Sequence, residues 1–338
     1  VSGGRTPYLQ GYSYYGFNGD GSQSVTQILQ RIYVSQANYM AAYPFSTTRR
    51  LEGNIGVQRY SYDLEEHVYT YDFYGLSGFG RNSLNSDADC LRVILRPCQD
   101  AINLASASVA LVGDNSNTGL TSPVSGGRYR LEVGQSVGTK NFTSVVADIR
   151  RYISPTRNIT FAARALHFGR YGKNLDPDRV TASIQPYFLG YETFIRGYSY
   201  ESFTGQSGAD ECATSGLEPG AVVGQCPGFD RLFGHRLGVV NLEFRVPLLG
   251  TPRFGLISFP YLPTEIFGFA DAGVAFNDFS DVRFNFVRSG GQRVPVFSMG
   301  GGARFNIFGF LILEAYWAHP FQRPEKGSHW GFVLSPGW

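Results

Sequence analysis

The chain has 338 residues and a formal net charge of +2, from 29 basic and 27 acidic side chains. This near-neutral balance, without a long run of Lys or Arg, argues against nucleic acid as a partner. Glycine (42), tyrosine (21) and phenylalanine (27) are abundant, whereas charged residues make up only 17%. Such a composition favours many strands joined by turns and disfavours a helix-rich enzyme.

Apolar residues nowhere form a run of about 20, so the sequence contains no candidate transmembrane helix. The mean hydropathy of -0.15 is typical of a soluble protein. A transmembrane barrel gives a similar average, however, because only every second strand residue must be apolar. The sequence has no initiator Met and no leader before Val1. We therefore expect it to begin partway through a longer precursor.

Apolar and polar residues alternate clearly from residue 237 onward. In VVNLEFRVPLL the apolar side chains of Val240, Leu242 and Phe244 point one way and the polar side chains between them point the other. The segments VFSMGGGARFNI and GRYRLEVGQ repeat the pattern. In a soluble sandwich the apolar face would be the interior, whereas in a membrane barrel the apolar face lies outside.

Three features favour the membrane arrangement. Aromatic residues recur near strand ends, as in LQGYSYYGF, YSYD and AYWAHPF, where interfacial girdles lie. Strand-sized segments are joined by alternately short and long connections. The chain also stops on the alternating aromatic strand HWGFVLSPGW, which would be a sticky edge in a soluble domain. The sequence therefore predicts an all-β fold, a transmembrane antiparallel β-barrel, as one domain over residues 1–338.

About twelve strands are predicted, at residues 7–16, 30–42, 51–63, 103–113, 127–136, 143–153, 158–169, 237–248, 265–276, 295–306, 309–318 and 329–337. The short turns at 153–158 and 306–309 are expected on the periplasmic side. The long excursions at 64–102, 199–236 and 277–294 are expected to be extracellular loops.

The four cysteines form two local pairs, Cys90 with Cys98 and Cys212 with Cys226, each within a polar segment. Their even number and close spacing predict two loop disulfides in an oxidising compartment. Free thiols or a metal site are the alternative, which the lack of CxxC spacing and of a neighbouring His disfavours. Both pairs fall in predicted extracellular loops.

Five motifs in order resemble the BamA/TamA family of the Omp85 superfamily, the bacterial surface-antigen barrels of the outer membrane, from about Leu104 to the end of the chain. The family's (Val/Ile)-Arg-Gly-(Phe/Tyr) loop element is matched by Ile195, Arg196, Gly197 and Tyr198. Its aromatic-x-Asp-x-Gly strand is matched by residues 269–273, with Asp271 and Gly273, and its Asn-x-Glu-Phe strand by residues 241–244, with Glu243.

The two remaining motifs lie upstream and at the C-terminus. The family's Asp-Asn and Pro-x-x-Gly turn is matched by Asp114, Asn115, Pro123 and Gly126. Its C-terminal β-signal is matched by Trp330, Phe332, Leu334 and Trp338.

The resemblance implies that Arg196 is carried by a loop into the barrel lumen. A partly desolvated guanidinium requires carboxylates, and Glu243 and Asp271 are the lumen-facing acids of the strands that follow. Gly197 would permit a tight turn, and Tyr198 would pack against the wall. The alternative is an ordinary exposed loop arginine.

A second ion pair is expected between Arg304 and Glu314 on adjacent strands, either in the lumen or as a solvated surface pair. Complete family members have sixteen strands preceded by periplasmic repeats. The resemblance therefore implies that about four strands and the periplasmic part precede Val1. The segments PYLQGYSYYGF and AYPFSTTRRLEG resemble members in which a TolB-like propeller comes before the barrel.

Three classes of function follow. The resemblance implies protein assembly, insertion or translocation at the bacterial outer membrane without a cofactor, with membrane lipid, client outer-membrane proteins and periplasmic or surface proteins as partners. A passive channel or structural barrel without insertase activity is the alternative. An enzyme is disfavoured, because GLSGFG (75–80) lacks the setting of a nucleophile elbow and no metal site is expected from the scattered histidines. These are His67, His167, His235, His319 and His329.

Overall fold

Alternating segments of the sequence form long strands in the computed structural model. The structure describes residues 2–17, 19, 21–94, 97–173, 175–176, 182–204, 227–287, 292–323 and 327–335. Within these ranges the strands are β1 (Ser2–Phe17), β2 (Gln23–Ser46), β3 (Arg49–Asp72), β4 (Gly75–Ser83), β5 (Ile102–Asp114), β6 (Asn117–Thr118), β7 (Pro123–Gly138), β8 (Phe142–Thr156), β9 (Ile159–Tyr171), β10 (Tyr187–Phe188), β11 (Phe233–Gly234), β12 (Arg236–Gly250), β13 (Ile257–Ser258), β14 (Thr264–Phe276), β15 (Val296–Ile307), β16 (Leu311–Pro320) and β17 (His329–Ser335).

Helices contribute little to the described part of the chain. They are α1 (Asp87–Ile94), α2 (Tyr200–Thr204), α3 (Pro227–Asp230) and a 3-10 turn at Phe279–Asp281. None of them, in the ranges that the structure describes, is long and apolar enough to cross a membrane.

Twelve strands of the described ranges follow one another in one sheet, in the order β1-β2-β3-β5-β7-β8-β9-β12-β14-β15-β16-β17. Neighbours such as β8 and β9, β12 and β14, and β15 and β16 pair antiparallel. Each of the twelve predicted segments overlaps one of these strands. The prediction of a large antiparallel all-β fold with about twelve strands is therefore confirmed.

The two faces of the strands are inverted relative to a soluble protein. On β12 the apolar side chains of Val240, Leu242 and Phe244 are exposed, whereas the charged side chains of Glu243 and Arg245, which alternate with Leu242 and Phe244, are buried. Burial also alternates on β14 and β15, where the buried positions include the charged residues Glu265, Asp271 and Arg304. Apolar side chains outside and charged side chains inside are the arrangement of a transmembrane barrel and not of a soluble sandwich.

The chain divides into two compact units. One comprises Val1–Ala41, Gly53–Ser108 and Gln135–Asn141, and the other comprises Ala42–Glu52, Val109–Gly134 and Phe142–Trp338. The second unit contains β8 to β17 and both strands that carry the predicted partners of Arg196.

The sheet of the second unit curls around its charged face. Thr121 and Ser122, immediately before β7, donate hydrogen bonds to the Glu265 carboxylate of β14 at 3.2 and 2.8 Å. Three strands, β8, β9 and β12, separate β7 from β14 along the sheet. Because these hydrogen bonds bypass all three strands, the charged face is concave.

The first unit contains the disulfide that the cysteine spacing predicted. Cys90 and Cys98 are bonded to each other, and Cys90 in α1 is buried beside Leu84. The second predicted pair, Cys212 and Cys226, lies outside the described residues.

The predicted loop at 64–102 is partly strand. β3 continues to Asp72 and pairs with β4, so this excursion begins with a hairpin. Two consecutive acids, Glu65 and Glu66, obscured the strand in the sequence. Both are buried, because Arg81 bonds Glu65 and Asn82 bonds Glu66 from β4.

The Pro-x-x-Gly turn has a steric explanation. Gly126 lies in β7 with φ +89, and a Cβ there would come within 2.2 Å of the Asn115 carbonyl oxygen. Asn115 in turn accepts a hydrogen bond from the Gly127 amide through its side chain at 2.9 Å. A residue with a side chain at position 126 would therefore open this turn.

Glycine in β15 allows close approach to β16. A Cβ at Gly300 would lie 1.9 Å from the Trp317 carbonyl oxygen and 2.9 Å from the Phe269 ring, whereas at Gly268 the nearest atom would be 3.8 Å away. We predict that Gly300→Ala lowers the free energy of unfolding by about 1–3 kcal/mol. Gly268→Ala is the matched control and should leave it nearly unchanged. Thermal unfolding followed by circular dichroism in detergent measures both, and equal stability of the two variants would contradict the steric argument.

Candidate functional site

The segment between β10 and α2 packs against the concave face of the second unit. Leu189, Ile195 and Tyr198 are buried in an apolar cluster with Val239 and Ala275 of the strands. Ile195 donates its amide hydrogen to the Tyr191 carbonyl at 3.0 Å, which folds the segment into a tight turn. This turn directs the next side chain, that of Arg196, onto the sheet.

Arg196 contacts both carboxylates named in the sequence analysis. Its Nε and Nη2 atoms donate to the two oxygens of Asp271 at 2.8 and 2.9 Å, and Nη1 donates to Glu243 at 2.8 Å. The Arg196 amide hydrogen also points to Asp271, at 3.3 Å. The side chains of Arg196, Glu243 and Asp271 are only 6%, 6% and 0% exposed. The forked geometry uses the planar donor set that distinguishes arginine from lysine.

Two aromatic rings of β14 lie beneath the guanidinium groups. The Arg196 Cζ atom is 3.6 Å from the centre of the Phe269 ring, and the Arg304 Cζ atom is 4.1 Å from that of Phe267. These rings point inward because they lie in phase with Asp271 along β14. Cation–π attraction therefore adds to the ion pairs.

Arg304 extends the contacts to two further carboxylates. It donates to Glu314 at 2.6 Å and to Glu265 at 3.1 Å, and it also reaches Glu243 at 2.9 Å. Arg304 is fully buried, so its pair with Glu314 lies on the concave face and not on a solvated surface. Arg245 donates to Glu243 at 2.8 Å.

We call this set the arginine network. It consists of Arg196, Arg245, Arg304, Glu243, Glu265, Asp271 and Glu314. Three guanidinium groups face four carboxylates, which leaves a formal charge of -1. Two neutral side chains also donate hydrogen bonds to these carboxylates and so partly stabilise the excess negative charge. Ser122 donates to Glu265 and Asn241 donates to Asp271, each at 2.8 Å.

The network keeps Arg196 charged. Burial alone would lower the pKa of its guanidinium, but Asp271 and Glu243 outweigh burial and raise that pKa above its ordinary value. Breaking such a buried pair is costly, because the remaining charge is left without a partner.

Sequence reasoning missed Glu265 and Arg323. Glu265 could have been found, because it lies in phase with Asp271 on β14. Arg323 follows β16 in an irregular segment and gave no signal, yet it donates to the Gly197 carbonyl at 3.0 Å and to the Ser202 hydroxyl at 2.6 Å.

The last two residues of the Ile-Arg-Gly-Tyr element fix the turn. Gly197 has φ +87, a conformation that favours glycine. Tyr198 is fully buried, and its hydroxyl lies 3.1 Å from the Phe297 carbonyl oxygen of β15 and 3.1 Å from the Gln322 side-chain oxygen. The wall contact expected for Tyr198 is thus with β15 and the segment after β16.

The glycine of the Phe-x-Asp-x-Gly strand makes room for the loop. A Cβ at Gly273 would lie 2.5 Å from Ile195 Cδ1 and 3.0 Å from Leu189 Cδ1. Gly273 and Ile195 therefore fit together as a pair, which gives a physical reason for both motif positions.

A cavity of about 380 Å³ adjoins the network in the second unit. Arg150 and Arg164 line it and share the Asp148 carboxylate at 2.8 and 2.9 Å. In the part of the chain that the structure describes, no group of three or more His, Cys, Asp or Glu residues is placed to hold a metal ion. The ion pairs of the arginine network form an ionic interior surface and fix the loop to the strands.

The proposed C-terminal β-signal lies apart from this network. Trp330, Phe332 and Leu334 are exposed on β17, which pairs with β16. Trp338 lies outside the described residues. The role of these side chains as a signal stays a prediction.

Comparison with known proteins gives structural similarities only. No protein-family model and no curated protein matches the sequence. The fold is similar to BamA from Haemophilus ducreyi lacking POTRA domains 1-3, at 15% identity and a TM-score of 0.47, covering 98% of this chain and 70% of that one.

Two CdiB structures are also similar over 98% of this chain. CdiB from Escherichia coli has 11% identity and a TM-score of 0.42, and CdiB from Acinetobacter baumannii has 13% identity and a TM-score of 0.43. The chain spans 55% and 57% of these two proteins.

Removing the Arg196 guanidinium should expose the cost of unpaired carboxylates. We predict that Arg196→Ala lowers the free energy of unfolding by about 3–5 kcal/mol, because Asp271 and Glu243 lose their shared partner. The free energy of unfolding of Arg196→Lys should lie between those of the parent chain and Arg196→Ala. Lysine keeps the positive charge but loses the forked donor geometry of arginine. Denaturant unfolding in detergent measures these changes. Arg253→Ala, at an exposed arginine, is the control, and an equal loss in this variant would refute the prediction.

A pair of compensating substitutions, at Gly273 and Ile195, tests how tightly the loop packs against β14. Gly273→Val should push Ile195 and the Arg196 turn away from β14, so that protease cleavage within residues 187–204 becomes faster. Ile195→Ala in the same chain should restore protection, because it removes the clashing Cδ1 atom. Gly238→Ala, where the nearest atom to a new Cβ would be 3.8 Å away, serves as the control. An unchanged cleavage rate in Gly273→Val would show that Ile195 does not pack tightly against Gly273.

Proposed function

We propose that this chain is an Omp85-type barrel of the bacterial outer membrane that assembles, inserts or translocates other proteins, without a cofactor and without catalysing a covalent reaction. The inverted faces of the strands support a membrane location. The order of the five sequence motifs supports the more specific protein-assembly role. Membrane lipid, client outer-membrane proteins and periplasmic or surface proteins are the proposed partners.

The single observation that carries the proposal is the contact of Arg196 with Asp271 and Glu243. Three motifs that are separate in the sequence meet at this one point: the Ile-Arg-Gly-Tyr loop, the Phe-x-Asp-x-Gly strand and the Asn-x-Glu-Phe strand. A chance match of short motifs would not be expected to bring their charged residues together in a buried contact.

The geometry indicates how such a barrel would combine rigidity with opening. The arginine network ties the loop to β12, β14, β15 and β16, so these strands are braced from inside. In the proposed mechanism β17 forms one lip of a seam whose backbone groups pair with an incoming client strand. Because the braced strands would stay together, opening would be confined to the seam beside β17.

Two measurements on the full chain, one in liposomes and one in planar bilayers, test the proposal. We predict that the protein accelerates insertion of an unfolded outer-membrane protein into liposomes. Arg196→Ala should lower this activity, whereas Arg253→Ala should retain it. Planar-bilayer conductance is recorded in parallel. A steady pore current without accelerated insertion would contradict the assembly role and favour a passive channel.

A further inference from the structure

The connection between β14 and β15 carries three exposed phenylalanine side chains. Phe279, Phe284 and Phe286 are 65%, 74% and 58% exposed. We call residues 277–287 the phenylalanine arm. Each aromatic side chain has a large apolar surface, so three of them in one short polar connection are unfavourable in water unless another apolar phase covers them.

The phenylalanine arm is continuous with the outward apolar face of the strands. The Phe286 ring centre lies 6.4 Å from that of Phe297 and 6.5 Å from that of Phe321. Phe297 is an exposed residue of β15, on the same face as Met299. At the other end of the arm, Phe279 contacts Phe276, the last residue of β14, and Phe284. Phe276 itself is buried, so the exposed rings extend the outward apolar surface at the β15 end, through Phe286 and Phe297.

Defined hydrogen bonds hold the arm in this position. The Asp278 side chain accepts from the Ser280 amide at 3.1 Å and starts the 3-10 turn. The Arg283 amide donates to the Arg293 carbonyl at 2.9 Å, and Arg293 donates to the Phe233 carbonyl at 2.6 Å. The backbone thus fixes where the three rings emerge.

The opposite end of β15 has a matching aromatic pair. Phe308 and Phe310 are both exposed and stacked, with ring centres 6.3 Å apart. Phe308 has φ +56, which a bulky residue rarely adopts, so an aromatic side chain occupies a turn position that favours glycine or asparagine. The two aromatic groups lie beyond the two ends of the same strand.

The length of β15 fits a bilayer between these two groups. Its 12 residues span about 40 Å along the strand, or about 28 Å across a membrane at a tilt of about 45°, against a hydrocarbon core of about 30 Å. Both aromatic groups would then lie near the headgroup boundaries, where aromatic side chains are favoured.

We propose that the phenylalanine arm is a lipid-binding element that rests on the boundary between headgroups and acyl chains at one rim of the membrane. This inference rests on the proposed membrane location, and it adds that a connection expected to be an extracellular loop binds lipid. Continuity with the outward face of β15 favours lipid over a partner protein or a second copy as the occupant.

Tryptophan fluorescence in liposomes with brominated acyl chains tests the arm directly. The three native tryptophans are first replaced by phenylalanine, Trp317→Phe, Trp330→Phe and Trp338→Phe, and single reporters are then added. Phe284→Trp reports on the arm. Leu242→Trp, in the middle of β12, reports on the membrane band. Tyr200→Trp, exposed on α2, is the control outside the arm.

We expect bromines placed near the headgroup end of the chain to reduce Phe284→Trp fluorescence roughly two-fold, and more than bromines near the terminal methyl. Leu242→Trp should show the opposite order, and Tyr200→Trp should not respond. Migration of the unheated folded form on gels shows that each variant is folded. Phe279→Trp provides a second arm reporter with the same expected response.

The outcomes distinguish a failure of the lipid-binding proposal for the arm from a failure of the proposed membrane location. No quenching of Leu242→Trp would overturn the membrane location and the arm with it. Quenching of Leu242→Trp without quenching of either arm reporter would overturn the arm alone. In that case, quenching of the arm reporters by aqueous iodide would show that they face solvent, and the lack of it would show that protein covers them.

Discussion

The buried guanidinium of Arg196 is the constraint on which the interior of the second unit depends. A charge with only 6% of its side chain exposed requires carboxylates at hydrogen-bond distance, and Asp271 and Glu243 provide them from two neighbouring strands. Those carboxylates are in turn shared or supported by Arg304, Arg245 and Asn241. The position of the loop, the identity of the inward side chains and the curvature of the sheet are therefore coupled.

Glycine and aromatic residues shape the space around the buried arginines. Gly273 leaves space for Ile195, so the loop can approach β14 closely enough for Arg196 to reach Asp271. Gly300 and Gly302 leave space for the Phe269 and Phe267 rings, which lie beneath the two guanidinium groups. The abundance of glycine and phenylalanine in the composition thus has a specific use at this site, in addition to turns and outward apolar surface.

Much of this was predictable from the sequence, because strict alternation identifies strands and faces together. Glu243 and Arg245 alternate with Leu242 and Phe244, and that pattern determines both the position of β12 and its inward face. Alternation failed at Glu65 and Glu66, since two adjacent acids are both buried by partners from another strand. Arg323 was unpredictable because it lies in an irregular segment, where its contacts depend on three-dimensional packing and not on a period.

The most direct test of the account is a double-mutant cycle between Arg196 and Asp271. Arg196→Leu, Asp271→Leu and the double variant are compared with the parent chain by denaturant unfolding in detergent. Because Arg196→Leu removes the arginine that pairs with buried Asp271, and Asp271→Leu removes one of the two carboxylates that pair with buried Arg196, the double variant should lose less stability than the sum of the single losses, by about 1–3 kcal/mol. Strictly additive losses would contradict the claim that this ion pair holds the loop in the interior.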